Sequence, residues 1–167
     1  FPGVTGCIDC THVRIRSPGG EDAEVYRNRK GVFSLNVQAI ITGPQLQFFD
    51  VVASWPGSSH DSRIFENSRA RVLYEERKVP GFLLGDMGYG CLRFLMTPLA
   101  EPGAPNSPGD RYNKAQIRTR NSVERAFGVW KRRFPCLDMR LQYRTRRSCA
   151  IITACAALHN LGRERNE

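Results

Sequence analysis

The sequence predicts an α/β fold in which a mixed five-stranded sheet is flanked by helices. Three observations predict it: strand-like alternation of apolar and polar residues in the first half, helical periodicity in the second half, and a wholly apolar segment at residues 79–86. With 167 residues and 41% hydrophobic residues, the chain is expected to form one domain, residues 1–167. It starts at Phe1, directly before a strand, so we expect a domain excised from a longer chain.

Three strands are predicted to come first. Residues 4–8 and 12–16 are β-prone, and a polar insert, residues 17–31, follows them. The next strand, residues 33–42, places one apolar face toward a core: Phe33, Leu35, Val37, Ala39 and Ile41. A short Gly-Pro-Gln turn then leads into residues 46–53, so the second and third strands are predicted to form an antiparallel hairpin.

A helix is predicted to follow the hairpin. Ser59 is a suitable N-cap for a helix that begins near Asp61, and its inward side would consist of Ile64, Ser68, Val72 and Leu73. The apolar segment at residues 79–86 is typical of a strand that is buried on both faces, and it ends on Asp86. A further short strand is predicted near Phe94.

Two helices are predicted to complete the domain. An irregular, proline-containing segment at residues 97–111 precedes a long helix at residues 113–134, which Pro135 ends. The apolar stripe of the long helix is Val123, Ala126, Phe127, Trp130 and Phe134. The last helix, residues 149–163 with Ser148 as its cap, is apolar nearly all round and is expected to pack against the sheet. This order of elements matches an RNase H-like core.

The positive charge is concentrated in one stretch. The formal net charge is +9, and residues 111–147 hold twelve Arg and Lys residues against two acids. The rest of the chain is nearly neutral, which is typical of a nucleic-acid-binding surface attached to a neutral body. No apolar run approaches the roughly 20 residues that span a bilayer, so no membrane partner is expected.

Glu124 lies inside this basic stretch. A carboxylate on a phosphate-binding surface repels the ligand unless it holds a cation, so we interpret Glu124 as a metal ligand. Arg120, Glu124, Phe127 and Lys131 share one side of the predicted helix, so Arg120, Glu124 and Lys131 are expected to project together. The alternative is an exposed ion pair between Glu124 and Arg120 on a solvated basic face.

Three more acids occupy positions where a metal ligand is expected. Asp9 interrupts an apolar strand, Asp61 opens a helix, and Asp86 ends a buried strand. A buried carboxylate is costly unless it is paired or bound to a metal. The alternatives are an ion pair with a nearby Arg for Asp9, a favourable helix N-terminal charge for Asp61 and a turn for Asp86. In an RNase H-like sheet the first and fourth strands are neighbours, so Asp9 and Asp86 are expected to converge.

Five sequence blocks carry a family resemblance. They are Gly6-Cys-Ile-Asp9-Cys-Thr-His12, Trp55-Pro-Gly-Ser-Ser-His-Asp61-Ser, Leu84-Gly-Asp86-Met-Gly-Tyr89, Asn121-Ser-Val-Glu124-Arg-Ala-Phe-Gly-Val-Trp-Lys131-Arg-Arg-Phe134 and Leu158-His-Asn160. In this order they resemble the DDE endonuclease domain of PIF/Harbinger transposases over essentially the whole chain. Two wider signatures match as well: D-x-G-Y at Asp86, and Y-x2-R-x3-E-x6-K at Arg120, Glu124 and Lys131, with Ile117 at its tyrosine position.

The resemblance implies a DDE triad of Asp9, Asp86 and Glu124, with Asp61 as a fourth, accessory metal ligand. Two Mg²⁺ or Mn²⁺ ions are expected, because hard divalent cations prefer oxygen ligands, and they would support in-line displacement at a phosphodiester. Arg120 and Lys131 are candidate phosphate donors. Arg132 and Arg133 complete the expected DNA-binding set.

Three functions therefore follow as hypotheses. The first is a metal-dependent DNA endonuclease or transposase catalytic domain. The second is a domesticated DNA-binding or partner-recruiting domain whose catalysis is weak or lost, and the third is an RNase or junction-resolving nuclease on the same scaffold. DNA is the expected partner in the first two. No helix-turn-helix or Myb-like module is present, so sequence recognition is expected to lie upstream or in a partner protein. By resemblance, a homo-oligomer and a nuclear location are expected.

The six cysteines do not suggest a zinc site or a disulfide framework. Cys7 and Cys10 form C-x-x-C, but residues three apart in a strand point to opposite faces, and no second such pair exists. Cys149 and Cys155 are interpreted as core thiols in an apolar helix. The cysteines are therefore expected to be reduced, as in an intracellular protein.

Overall fold

The computed structural model describes residues 1–165 and contains one five-stranded mixed sheet. Its strands are β1 (Val4–Arg14), β2 (Ser34–Thr42), β3 (Gln47–Pro56), β4 (Phe82–Leu84) and β5 (Leu95–Met96). The order across the sheet is β3-β2-β1-β4-β5. β2 is antiparallel to both β1 and β3, whereas β4 runs parallel to β1 and β5 runs parallel to β4. This arrangement confirms the predicted RNase H-like core.

Helices cover both faces of the sheet. They are α1 (Asp61–Glu66), α2 (Arg69–Glu75), α3 (Pro108–Arg133) and α4 (Thr145–Glu164). One core lies between the sheet and the two long helices, and Trp130 of α3 and Ile152 of α4 are fully buried in it. A second core lies under the short helices, where Phe65 and Tyr74 pack on Ile8. Because apolar side chains of both cores come from β1, β2 and β4, these strands are buried on both faces.

The helix predicted after the hairpin is two helices. Ser68 accepts a hydrogen bond from the Arg71 amide and donates one to the Phe65 carbonyl, so it starts α2 as a new N-cap. The break turns the second segment, and Val72, which was predicted to face inward, is exposed. The N-cap of α1 is His60 without a side-chain cap bond, so the predicted Ser59 cap is wrong.

The two long helices begin earlier than predicted. Ser107 caps α3 and Pro108 occupies its first turn, a position where proline is favoured because its missing N–H has no helical partner. The helix ends at Arg133 before Pro135, as predicted. Helix α4 begins at Thr145, so the buried Ser148 lies inside it and the predicted cap is wrong. As predicted, α4 packs on the sheet, although Leu158 is exposed.

The insert between β1 and β2 contains a 3-10 helix, Glu21–Tyr26, which the sequence did not reveal.

All six cysteines are free thiols. Cys7 contacts the core under α3, whereas the Cys10 thiol contacts the Tyr89 hydroxyl, so the two residues face opposite sides of the sheet as predicted. Within residues 1–165, no helix has the length and apolar character needed to cross a bilayer.

Candidate active site

Asp9 and Asp86 meet because β1 and β4 are parallel neighbours. The ladder ends where Cys7 pairs with Leu84, and Asp9 and Asp86 each follow two positions later. The charge of Asp86 raises the pKa of Asp9, which indicates that the two carboxylates are near one another. The Asp9 carboxylate accepts a hydrogen bond of 2.8 Å from the Cys10 amide, and Asp86 accepts one of 2.8 Å from the Gly88 amide. Both acids therefore have backbone donors that fix one carboxylate oxygen and leave the other oxygen for a further partner.

Arg120 joins Asp9 to Glu124. Its Nη1 atom lies 2.8 Å from Asp9 Oδ2, and its Nη2 atom lies 3.1 Å from Glu124 Oε1. The side chains of Arg120 and Asp9 are only 14% and 16% exposed, while Glu124 is 57% exposed. One positive group thus lies between the first and last acids of the predicted triad, and the ion pairs that were alternatives for Asp9 and Glu124 are both present.

Buried amides hold Asp61 against the sheet. Asn36 Nδ2 donates to Asp61 Oδ1 at 2.8 Å and to the Ser59 carbonyl at 2.9 Å. Gln38 Nε2 donates to the Asp61 carbonyl at 3.1 Å and to the Tyr89 hydroxyl at 3.3 Å. Asn36 and Gln38 are each 1% exposed, and both belong to β2, the strand next to β1. These amides fix the start of α1, so Asp61 has a defined position.

The acids share one electrostatic environment. Burial raises the pKa of Asp9 from its usual 3.8 to about 6, the Cys10 amide and Arg120 oppose the rise, and the charges of Asp86 and Asp61 add to it. Desolvation therefore outweighs the ion pair at Asp9. An additional cation would stabilise the charged form of the Asp9 carboxylate.

Asp61 and Asp86 also line a cleft of about 630 Å³. Its wall includes Lys131 of α3, whose Nζ donates to the His12 carbonyl at 2.9 Å and lies 3.9 Å from Asp138 Oδ1. Burial lowers the pKa of Lys131. Asp9 and Glu124, which Arg120 joins, are not among the lining residues.

The last two predicted DNA-binding residues lie away from this cleft. Arg132 is exposed, and the Arg133 guanidinium lies beside Gly162 of α4. Successive residues of a helix point about 100° apart, so charges adjacent in sequence to Lys131 do not share its direction. The structure therefore brings Asp9, Asp61, Asp86, Glu124, Arg120 and Lys131 into one region, and it does not bring Arg133 there.

The donor set fits a divalent cation by its chemistry but does not form a finished metal site. Its members are carboxylates, the ligands that Mg²⁺ and Mn²⁺ prefer. No group of three or more His, Cys, Asp or Glu residues within residues 1–165 has the arrangement of a metal site. The Arg120 guanidinium lies between Asp9 and Glu124 and donates to both.

Several residues of this region were missed by the sequence reasoning. Asn36 and Gln38 are polar interruptions in an otherwise apolar strand, and that signal was available. Arg29 and Lys30 were interpreted only as part of the polar insert at residues 17–31, but they line the cleft together with Arg14. Nothing local in the sequence indicates that the insert folds back beside β1.

Comparison with known proteins identifies similar chains. The family model described as "DDE superfamily endonuclease" matches residues 8–160. Proteins named "Putative nuclease HARBI1" from Bos taurus and Homo sapiens are each 38% identical over 168 aligned positions, which cover 98% of this chain and 47% of those proteins. "Protein ALP1-like" from Arabidopsis thaliana is 30% identical over 96% of this chain and 43% of its own length.

The chain thus spans about half the length of the curated relatives that it matches. No solved structure gave a significant match.

Proposed function

The chain belongs to the DDE superfamily endonucleases, and from that premise we propose that it is the catalytic domain of a metal-dependent DNA endonuclease or transposase. The observation that carries the proposal is the convergence of distant acids. Asp9 and Glu124 bind the same guanidinium, and Asp86, which follows the strand next to β1, is near enough for its charge to raise the pKa of Asp9. The nuclease-like relatives add support, because their similarity extends over 98% of the chain.

Divalent metal ions are general cofactors of DDE superfamily endonucleases. In this chain we propose that Asp9, Asp86 and Glu124 hold the metal, with Asp61 as an accessory ligand. When bound, two Mg²⁺ or Mn²⁺ ions would activate the attacking water or 3′-hydroxyl and stabilise the leaving oxygen of the phosphodiester. The elevated pKa of Asp9 supports this assignment, because its buried negative charge is poorly compensated by Arg120 alone.

The protein's own side chains would bind and orient the substrate. Lys131 lines the cleft, where its ammonium group, which donates to the His12 carbonyl, would also donate to a phosphate oxygen. Arg120 would leave Asp9 and Glu124 when metal binds, and its guanidinium would then donate to a phosphate flanking the scissile bond. Asn36 would keep the Asp61 carboxylate facing the cleft through the 2.8 Å hydrogen bond.

Cleavage of supercoiled plasmid DNA tests this function. The wild-type protein is expected to nick the plasmid with Mg²⁺ or Mn²⁺ and to leave it intact with EDTA. Asp86→Ala should abolish nicking, whereas Asp22→Ala, which changes an exposed acid in the insert, should not. Equal nicking by the wild type and Asp86→Ala would contradict the proposed mechanism.

One observation favours the alternative of a domesticated DNA-binding or partner-recruiting domain. Arg120 already forms ion pairs with Asp9 and Glu124, so one of the negative charges of the site is offset without a metal. In that case the wild-type protein would bind DNA and leave the plasmid uncut in every metal. The same assay with a parallel measurement of DNA binding separates the two functions.

We extend the proposal to the surroundings of the domain. A separate or upstream module of helix-turn-helix or Myb-like type would supply DNA sequence recognition, and the active assembly would be a homo-oligomer in the nucleus. Co-purification with nuclear chromatin tests the nuclear location, and the molar mass of the DNA complex in light scattering tests the homo-oligomer.

A further inference from the structure

The cleft carries charges of both signs. Asp61 and Asp86 line it, and both are close enough for their charges to raise the pKa of Asp9. Its lining also includes the cations Arg14, Arg29 and Lys30, and Lys131 lies on the wall contributed by α3. A groove that combines carboxylates with several cations suits a ligand that meets metal ions at one point and carries further negative charges.

The floor of the groove is an unpaired stretch of strand. The ladder between β1 and β4 ends at Cys7 and Leu84, and Leu141 joins the chain only at Arg14 and Ile15. Between these points no strand within the described residues pairs with this edge of β1. Its His12 carbonyl instead accepts the 2.9 Å hydrogen bond from Lys131. An extended ligand can therefore lie along this edge without displacing a strand.

The insert presents Arg29 and Lys30 on a fixed turn. The Asn28 side chain donates to Ser34 Oγ at 3.0 Å and accepts from the amides of Lys30 at 3.0 Å and Val32 at 3.2 Å. Ser34 is fully buried in β2. Because the Asn28 side-chain nitrogen bonds to the sheet and its side-chain oxygen bonds to the turn, the turn is tied to the sheet and holds its two cations beside the groove.

The loop that follows β3 braces the insert from the other side. The Ser58 amide donates to the Val25 carbonyl at 3.1 Å. At Gly57 the backbones come so close that a Cβ atom would lie 2.6 Å from the Tyr26 carbonyl oxygen. The insert and the loop thus form one wall, in which Arg29 Nη2 lies 3.4 Å from His60 Nδ1.

Most of the cations that line the groove lack an anionic partner. Among residues 1–165, no carboxylate lies within ion-pair distance of Arg14, Arg29 or Lys30, while Lys131 has only the exposed Asp138 at 3.9 Å. Burial lowers the pKa of Lys131, and the charges of Arg14 and Lys30 lower it further, which indicates that these groups repel one another. A bound polyanion would remove that repulsion.

Arg14 lies a short distance from Asp9 on the scale of DNA. It is five residues beyond Asp9 on the same strand, so at roughly 3.3 Å per residue the two Cα atoms are about 17 Å apart. Each DNA strand advances about 3.4 Å along the helix axis per nucleotide, so this distance corresponds to about five nucleotides of a duplex. The cations therefore lie within a few nucleotides of the proposed scissile phosphate.

Resting on the proposed function, we propose that Arg14, Arg29 and Lys30 form a phosphate track that binds the sugar-phosphate backbone of the DNA flanking the cleavage point. The track consists of these three residues, which line the same groove as Asp61 and Asp86. Its contacts are to phosphates only, so it adds affinity and direction without sequence preference. The insert between β1 and β2 is accordingly a DNA-binding element.

The salt dependence of DNA binding tests the track. A short fluorescein-labelled DNA duplex is titrated with the 167-residue protein in EDTA, where the metal-dependent reaction does not run, at several KCl concentrations. Each lost phosphate contact should reduce the slope of log K against log [KCl] by about 0.9. Arg14→Ala should therefore reduce the slope by about 1 and the Arg29→Ala/Lys30→Ala double variant by about 2.

Arg77→Ala/Arg93→Ala is the matched control, because it also removes two exposed positive charges. These residues line a different groove, near Pro80 and Gly81 at the opposite end of β4. The control should keep the wild-type slope, and thermal unfolding should show that every variant is folded. Wild-type slopes in both track variants, in a protein that binds and nicks DNA, would overturn the track alone. A wild type that binds no DNA would overturn the track and the proposed function together.

Discussion

Removing the Arg120 guanidinium should increase the rise in unfolding temperature that Mn²⁺ produces. Arg120→Ala deletes the group that lies 2.8 Å from Asp9 and 3.1 Å from Glu124. Breaking a buried pair by removing one partner costs about 3–5 kcal/mol, whereas the exposed pair with Glu124 contributes about 0–1 kcal/mol. In a domain of this size each kcal/mol corresponds to roughly 2–4 °C, so the metal-free variant should unfold on the order of 10 °C below the wild type.

If the proposed metal site is correct, saturating Mn²⁺ should recover much of that loss, because the cation would take the position that the guanidinium held. In the wild type the metal would first have to displace Arg120, so the same addition should raise the unfolding temperature less. The assay is thermal unfolding with and without Mn²⁺, well above the Asp9 pKa of about 6.

Arg118→Ala, which changes an exposed arginine on the same helix, is the control and should behave as the wild type. Equal Mn²⁺-induced shifts in Arg120→Ala and the wild type would refute the idea that guanidinium and metal compete for one place.

Three further predictions concern the groups around the site. Burial raises the pKa of Asp9 from 3.8 to about 6, so the protonated Asp9 carboxyl stabilises the folded state below about pH 4, and this contribution is lost as the pH rises through 6. Over the same interval the carboxyl loses its proton, so the Mn²⁺ affinity measured by calorimetry should increase. Asn36→Ala, which removes both donors to Asp61 and the Ser59 carbonyl, should cost about 1–3 kcal/mol in urea unfolding, and a cost as small as that of the exposed Ser54→Ala would count against it. Gly57→Ala should lower the unfolding temperature because its Cβ atom would lie 2.8 Å from the Ser34 carbonyl oxygen. Gly90→Ala should not lower it, because no other atom lies within 4 Å of the position that its Cβ would take. Equal unfolding temperatures of the two variants would show that the insert is not held at Gly57.

The sheet and the long helices were predictable because their signals are local and strong. The alternation of Leu35, Val37 and Ala39 indicated a strand, and the structure buries all three in one core. The stripe through Val123 and Trp130 indicated a long helix with one inward face, which the structure confirms. In such elements the hydrophobic period alone determines which side chains are removed from water.

Element ends were less predictable because short-range hydrogen bonds compete with the hydrophobic period. Ser68 and Ser107 both act as N-caps, but only their hydrogen bonds distinguish them from Ser59 and Ser148, which are not caps. Pro108 is in the first turn of a helix, where proline is favoured, although a run of prolines in sequence suggests a loop.

The contacts that define the site could not be predicted from local patterns. Arg120 and Asp9 are 111 residues apart, and their ion pair exists only because α3 crosses β1. Likewise, Arg29 reaches the cleft because the insert folds back onto β2. The sequence motifs identified the acids as members of one family pattern. They did not indicate the direction of Arg133, because the rotation and packing of the helix place its guanidinium beside Gly162 and not in the cleft.

Anomalous diffraction from crystals of this protein soaked in Mn²⁺ tests the central claim most directly. The account predicts a manganese peak that touches carboxylate oxygens of both Asp9 and Asp86, at the roughly 2 Å distances of hard-cation ligands, with Arg120 displaced from Asp9. A soak that leaves Arg120 on Asp9 and Glu124, with no manganese peak between the acids, would contradict it.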